Sequence, residues 1–415
     1  MTSPLGDALD DPTFVDDPYP RLAGLRDLGP LPYDDRLGVR LAASYADAGE
    51  VLRSRDLGRT YTLRLPRPGR PAAEWDTFNR LHEHALLEVE PPTHTRLRRL
   101  VARAFGRGHV ERLRPRVTAL AAELLDQCAG TLESDGSVDV LGGFAEPLPV
   151  LVIAELLGWP AADRHLLRPW SQAITAMYEL DPTTEAEAAA RRAADQFAAY
   201  VVELARERAR HPGDDLVSDL VAVRDAGDRL SEAELVATVV LLLNAGHEAS
   251  VNGFGNGLVS WLAAGSPAAE VEPLVEEMLR HDAPLQLFER TAVRACSVAG
   301  VELEAGERVA ALLGAANRDP ARFARPDVFD PSRTDPHLSF GAGIHFCLGA
   351  PLARLELQVA VSALLVRWPR LELVATVRRP TFVLRGWSEV RVKPYAPPGP
   401  STGSGQALSK GWYAP

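Results

Sequence analysis

Apolar residues recur at three- and four-residue spacing from about Thr93 to Gly265, most regularly in VERLRPRVTALAAELLDQCAGTL and EAEAAARRAADQFAAYVVELARERAR. That period gathers them into one stripe of a helix, so this stretch is predicted to be mostly α. Within it, Ser231 followed by Glu234 is a capping-box pattern, and Gly265 supplies a stop. A single helix between them would be about 50 Å long at about 1.5 Å per residue, enough to cross the whole molecule. Short runs of β type lie elsewhere: GVRLAAS near the N-terminus, TAVRACSVAGVELEAGERVAALL after residue 290, and LELVATVRRPTFVLRGWSEVRVKP near the end. Each is broken by Gly, Pro or charge, which predicts small sheets. Between Ala316 and His337, NRDPARFARPDVFDPSRTDP is rich in Pro and Asp and has no sustained period, so an ordered meander is expected there. From Ala396 onward, APPGPSTGSGQALSKGWYAP reads as a flexible extension.

Composition narrows the possibilities. A hydrophobic fraction of 46% with 24% charged residues is an ordinary globular balance. The first twenty residues carry acids and prolines where an export leader would need a basic start and an apolar core. The longest apolar run, Leu235 to Ala245 with Thr238 and Asn244 inside it, falls short of the roughly 20 residues that span a bilayer. A net charge of -11 argues against broad nucleic-acid binding. One stretch is locally basic: Arg96, Arg98, Arg99, Arg103, Arg107, Arg112, Arg114 and Arg116 stand against the single acid Glu111. It reads either as a surface that steers an acidic partner or as the solvated faces of two helices. The three cysteines, Cys128, Cys296 and Cys347, form no paired framework, which points to a reducing cytoplasm, while the shortness of the apolar run argues against a membrane anchor.

Candidate chemistry centres on Cys347. Residues 340 to 354 read FGAGIHFCLGAPLAR, with glycines around a lone cysteine and a periodic helix beginning just after it. At a helix N-terminus, the dipole and the free N–H groups of Leu348 and Gly349 favour a thiolate over a thiol, and a ferric ion would complete the deprotonation. Gly341, Gly343 and Gly349 allow turns and close approach that a side chain would block. Taken alone, the cysteine could equally be a buried, inert one. The string, however, resembles the cysteine-ligand signature of the cytochrome P-450 family at Phe340, Gly343, His345, Cys347 and Gly349, and the agreement extends through Leu352, Ala353 and Arg354. The resemblance implies that Cys347 is the axial ligand of a haem iron, that His345 lies beside a haem propionate and that Phe340 packs near the thiolate. A thiolate ligand of this kind favours O–O cleavage.

Further constellations match the same family. Glu277 and Arg280, three apart in VEEMLRH, share a helix face and could be a plain surface ion pair. The resemblance implies a buried Glu-x-x-Arg lock, with Arg333 of FDPSR as its third member. His94 and Arg98, four apart in PPTHTRLRR, project from one face, as a helix surface or as a cationic pair. By resemblance they bind the haem propionates, together with Arg290 of LQLFERTA. In NAGHEASVNGFGNG, glycines interrupt an otherwise apolar helix, for close packing or for a local opening. Here Ala245, Gly246 and Glu248 match the family's oxygen-binding segment, in which an acid and a neighbouring threonine relay protons.

The departure is Ala249, which stands where that threonine is expected. Ser250 follows, but one residue along a helix turns the side chain about 100° away. Proton delivery to Glu248's side of the pocket would then involve a substrate hydroxyl or carbonyl with ordered water; some macrolide-hydroxylating members resemble this sequence in having Ala-Ser. The resemblance covers roughly residues 10 to 395 and implies a mainly α, single-domain cytochrome P-450 fold: a helical bundle around haem b, a long central helix and small β-sheets. The domain is expected to occupy residues 1–395, followed by a tail at 396–415. It further implies a cytoplasmic, monomeric monooxygenase that takes electrons from NAD(P)H through ferredoxin and ferredoxin reductase, and uses dioxygen to oxidise a hydrophobic small molecule, as in secondary-metabolite biosynthesis. The substrate is expected against Tyr61 to Leu87, Trp170 to Tyr200, and Leu243 to Ala249. Two alternatives remain: a non-catalytic haem or ligand-binding scaffold, and a peroxide-driven peroxygenase.

Overall fold

The computed structural model describes residues 3–59, 72–180, 182–223 and 228–395. The tail expected from Ala396, and residues 61–71 of the expected substrate region, lie outside the described residues. Ten helices of eight or more residues are described: α1 (Tyr45–Arg53), α2 (Asp76–Glu83), α3 (Thr93–Val101), α4 (Arg107–Asp135), α5 (Pro147–Leu156), α6 (Leu167–Thr175), α7 (Thr184–Arg210), α8 (Glu232–Ala263), α9 (Val271–His281) and α10 (Ala350–Arg367).

The expected long helix is α8. Ser231 Oγ accepts from Glu234 N at 3.2 Å while Ser231 N donates to the Glu234 carboxylate at 2.8 Å, which satisfies two otherwise free donors of the first turn. Just past its end, Gly265 takes a left-handed φ of 80°. By length and composition α8 could cross a membrane, but 67% of its most apolar window is buried within the protein, as befits a core helix. The main apolar core runs along it, drawing in α2, α4, α5, α6, α7, α9 and α10. Its glycines divide into two kinds. A Cβ on Gly257 would come within 2.4 Å of Met278 Cβ, and one on Gly253 within 3.3 Å of Leu279, so these positions let α9 lie close against α8. A Cβ on Gly246 would meet nothing within 4 Å.

The β runs form three small sheets. Strands β1 (Tyr33–Asp34), β2 (Val39–Ala42), β3 (Leu57–Gly58), β5 (Leu287–Ala292) and β8 (Arg308–Leu312) make a five-stranded sheet in the order β1-β2-β8-β5-β3, in which only the β2–β8 pair is parallel. Strands β4 (Val138–Asp139), β9 (Leu371–Arg378) and β10 (Trp387–Pro394) form a second, with β10 in the middle, and β6 (Cys296–Val298) pairs with β7 (Val301–Leu303). The first sheet carries Arg290 in register with Val309. Between Asn317 and Ala342 there is neither helix nor strand, in keeping with the meander expected from the sequence.

The closeness of α8 and α9 at Gly257 yields a stability test. Alanine there gains helix propensity, about 1 kcal/mol over glycine, but its Cβ is forced against Met278 Cβ, and overpacking costs about 1–3 kcal/mol. Gly257→Ala is therefore expected to lower the urea midpoint followed by circular dichroism. An unchanged or raised midpoint would mean that the two helices can part without cost.

Candidate functional site

Each end of the cysteine loop is anchored. The amide of Cys347 donates to the Phe340 carbonyl at 3.0 Å and closes the loop. Gly341 and Gly343 take left-handed φ values of 68° and 72°, and a Cβ on Gly343 would sit 2.4 Å from the Leu52 carbonyl oxygen at the end of α1. Gly349 caps α10, whose second residue is Pro351, and the N–H groups of Gly349 and Ala350 bond to the Cys347 sulfur. These donors lie one position later than the Leu348 and Gly349 pair expected from sequence. The net effect on the thiol also runs opposite to that expectation. Cys347 is half-buried, and burial pushes its pKa up, more than the two N–H groups and the cations Arg98 and Arg354 lower it. The helix terminus eases deprotonation, and a bound metal would have to supply the rest. Phe340 stacks under the Arg354 guanidinium, 4.4 Å from its centre.

Behind the loop, Glu277 and Arg280 are both nearly inaccessible and meet bidentately at 2.6 and 2.8 Å. This is a buried pair, not a surface one. The remaining Arg280 donors reach the carbonyls of Asn317, Pro326 and Val328, and Glu277 accepts from Asp330 N at 2.7 Å. Arg333 lies 3.7 Å from Glu277 and donates to the carbonyls of Ala324, Arg325 and Val328. The meander, which has no ladder of its own, thus has its carbonyls satisfied by two guanidinium groups. Glu276 of α9 forms a second tie, bidentate with Arg354 at 2.6 and 2.8 Å.

On the other side of the loop, two imidazoles and two guanidinium groups gather around the carboxylate of Glu90. His94 is buried and its Nε2 has no partner. Burial, then the nearby His345 and Arg98, lower its pKa to about 4. Arg98 donates to the carbonyls of Ile344 at 3.1 Å and Phe346 at 2.9 Å, tying α3 to the loop. The His345 ring stands 4.5 Å from that of His94 and is 2.9 Å from Glu90, a partner the sequence did not suggest. Arg290 is buried on β5, and among the described residues no carboxylate lies within ion-pair distance of it. Burial and the neighbouring Arg59 hold its pKa down at about 9. An orphaned imidazole nitrogen and an uncompensated guanidinium suit a ligand that brings carboxylates.

The middle of α8 is open where the sequence is small. Ala245 is exposed and Gly246 and Ala249 are half-buried, within a helix whose flanking turns are closed. Glu248, 3% exposed, turns elsewhere: one oxygen accepts from Arg379 Nη1 at 2.5 Å, and the other, Oε1, has no hydrogen-bond partner. Arg379 lies 3.9 Å from Glu146, which in turn meets the exposed Arg168 at 2.7 Å. A polar line thus runs from Glu248 to the surface. His247 is fully buried, 3.3 Å from the Ser171 hydroxyl. Ser250 is turned away, hydrogen-bonded to Glu356 of α10, whose carboxyl is pushed up to about 8 by burial despite that bond. The open small-residue face, the free cations and the cysteine sulfur fit a haem: Cys347 could hold the iron, while His94, Arg98 and Arg290 could hold the carboxylates.

Sequence reasoning missed Glu90, Glu146, Arg379, Glu276 and Glu356, each a partner supplied from a distant part of the chain. It also overstated the basic surface. Arg96 pairs with Glu234 and Arg116 with Glu155, so acids from other segments neutralise part of the stretch, and Arg114 pairs with Glu111 within it.

Comparison with known proteins gives one answer. The family model "Cytochrome P-450" matches residues 271–382. Cytochrome P-450 107B1 of Saccharopolyspora erythraea is 38% identical over 93% of this chain and 97% of its own. The cytochrome P-450 monooxygenase PikC of Streptomyces venezuelae is 39% identical, over 87% of this chain and 86% of its own. Among solved structures, P-450 BioI in complex with an acyl carrier protein ligated to hexadec-9Z-enoic acid superposes with a TM-score of 0.85 at 33% identity, covering 92% of this chain and 99% of that one.

The Glu276–Arg354 tie predicts a pH dependence. Burial alone would raise the Glu276 carboxyl, but hydrogen bonds from Arg354 and His337 outweigh it and hold the pKa at about 2 against an ordinary 4.5. A depressed carboxylate stabilises the fold above its unfolded pKa and ceases to do so as pH falls through the folded one. Between about pH 4.5 and 2, Glu276→Gln should therefore lose less stability than the parent, measured as urea midpoints across that window. Parallel decline of the two proteins would show that the tie contributes nothing.

Proposed function

Because this chain belongs to the cytochrome P-450 family of haem monooxygenases, we propose that it oxidises a hydrophobic small molecule of secondary metabolism with electrons drawn from NAD(P)H through a ferredoxin and its reductase. Residues 1–395 form the haem-thiolate domain in this reading, and the cytoplasm is its compartment. The observation that carries it is the convergence around one loop of the Cys347 sulfur, backed by two helix N–H groups, the orphaned imidazole of His94 and the guanidinium groups of Arg98 and Arg290, which have no carboxylate partner among the described residues.

When bound, the haem supplies the iron centre at which dioxygen is activated. The chain's own residues do the rest. Cys347 provides the sulfur ligand, with Phe340 and His345 shaping the loop around it. The Glu277–Arg280–Arg333 lock keeps the preceding meander, and hence the loop, in place. His94, Arg98 and Arg290 would hold the propionates, His94 through its free ring nitrogen and the two guanidinium groups by balancing their charge. Ala245 and Gly246 leave room beside α8, where a side chain would intrude.

Water beside the line of Arg168, Glu146, Arg379 and Glu248 delivers the protons, since a guanidinium does not release its own, and Glu248, with an unpartnered Oε1, is the acid at which that line ends. Ala249 has no hydroxyl to pass a proton onward, and Ser250 is committed to Glu356. The final transfer therefore falls to a substrate hydroxyl or carbonyl with ordered water. General acid–base transfer of this sort is worth about 10²–10⁴-fold in rate. The polar line to a retained acid favours the monooxygenase over a peroxide-driven enzyme or an inert scaffold, since neither needs one.

Treating the reduced protein with carbon monoxide tests the central bond. The red-displaced Soret band of thiolate coordination is expected, and Cys347→Ser should lose it; a protein that takes up no porphyrin, or shows no such band, overturns the reading. For proton delivery, Ala249→Thr is expected to leave coupling of NADPH consumption to product unchanged or lower with the native substrate. A gain approaching the 10²–10⁴ range would show that the substrate takes no part.

A further inference from the structure

Beside the first half of α8, a small cavity lies between the C-terminal end of α2, the turn at Leu86–Glu88 and Tyr178. Its walls are largely apolar, formed by Leu81, Leu87, Val240 and Leu241; of the polar groups in the lining, His82 is bonded to the Phe78 carbonyl and Glu88 is paired with Arg59, while Tyr178 and Asn244 meet each other. The amide nitrogen of Asn244 donates to the Tyr178 phenol oxygen. Its carbonyl, Oδ1, has no partner, although the residue is only 4% exposed. A buried acceptor left unpaired costs free energy, and an apolar side chain would fit an apolar cavity without that cost. Leu241, which also lines the cavity, precedes Ala245 by one helical turn and shares its face of α8, so the cavity adjoins the open stretch at Ala245, Gly246 and Ala249.

The chemistry of the two groups selects the ligand. Oδ1 requires a donor. The tyrosine hydroxyl hydrogen can rotate toward an acceptor while its oxygen keeps the Asn244 bond. An alcohol is the smallest organic group that donates to one and accepts from the other through a single atom. A ketone would leave Oδ1 unpaired. An ammonium would call for a free carboxylate, and the nearby Glu88 is already paired with Arg59. We propose that this cavity is a specificity subsite for a hydroxyl group of the substrate, which donates to Asn244 Oδ1 and accepts from Tyr178. The substrate class is thereby narrowed to hydrophobic molecules bearing an alcohol away from the oxidised carbon. The proposal rests on the haem monooxygenase reading given above.

The test uses the haem-loaded protein and two matched probe series, 1-alkylimidazoles and 1-(ω-hydroxyalkyl)imidazoles of increasing chain length. Imidazole binding at the iron is read from the Soret shift, so affinity is measured without turnover. In an ordinary apolar pocket the alkyl member of each pair binds more tightly. Here the order is expected to invert at one chain length, with the hydroxyl member about tenfold tighter. Asn244→Leu should restore the alkyl preference, and Tyr178→Phe, which keeps the acceptor, should reduce the inversion; Asn244→Ala replaces the leucine variant if that one fails to take up haem. Alkyl preference at every length in the parent, or inversion that survives loss of Asn244, overturns the subsite and leaves Asn244 holding an ordered water only. If no probe of either series shifts the spectrum, the haem reading falls and the subsite with it, an outcome distinguishable from the other two.

Discussion

The buried pair of Glu277 with Arg280 supports more than its own helix. Taking both charges out of water is expensive, and their attraction repays it only where the remaining donors and acceptors are also satisfied. Here they are satisfied by a segment that has no secondary structure of its own: three carbonyls of the meander on Arg280, and the Asp330 amide on Glu277. Arg333 repeats the arrangement from within the meander. An irregular stretch of chain is thereby held as firmly as a strand, and the cysteine loop inherits its position from it. Removing one partner would strand the other charge in the core, so the pair must be kept or lost as a unit.

A second principle governs the pocket itself, an imbalance of charge left deliberately unresolved. Elsewhere many arginines meet carboxylates, as Arg96 and Arg116 do in the stretch that reads as basic. Around the loop, Arg290 meets no carboxylate among the described residues, and Arg98 has only carbonyl oxygens. The protein alone therefore holds cations at a cost, which a dianionic ligand would relieve. Opposite them, α8 gives up side-chain bulk at Ala245, Gly246 and Ala249, in the middle of a helix that is otherwise filled. Binding energy and space are provided at the same place.

What was legible in the sequence follows the range of each interaction. Ser231 with Glu234 and Glu277 with Arg280 are three residues apart, so helix geometry alone brings them together, and the long helix, the small sheets and the meander follow from local period and turn chemistry. The ligand string around Cys347 was legible because it is contiguous. Burial was not. Whether Glu277 and Arg280 face water or the core cannot be seen from spacing, and the thiol of Cys347 goes up rather than down because desolvation outweighs the helix terminus. The same blindness affected the stretch from Arg96 to Arg116, whose neutralising acids, Glu155 and Glu234, come from α5 and α8. Asn244 was visible only as a polar break in an apolar run, and Tyr178, its partner, is 66 positions away by the numbering.

The bond between Glu248 and Arg379 joins residues 131 apart, which gives it a place in time as well as in space. As the chain leaves the ribosome, α8 is complete long before the segment joining β9 to β10 exists, and domains mature from the N-terminal side. Until that late segment docks, the buried acid behind the open face of α8 lacks the guanidinium that it meets in the finished fold. The C-terminal strands are thus the keystone of assembly: a chain that stopped short of them would carry every ligand-bearing residue and still fail to set its central acid in place.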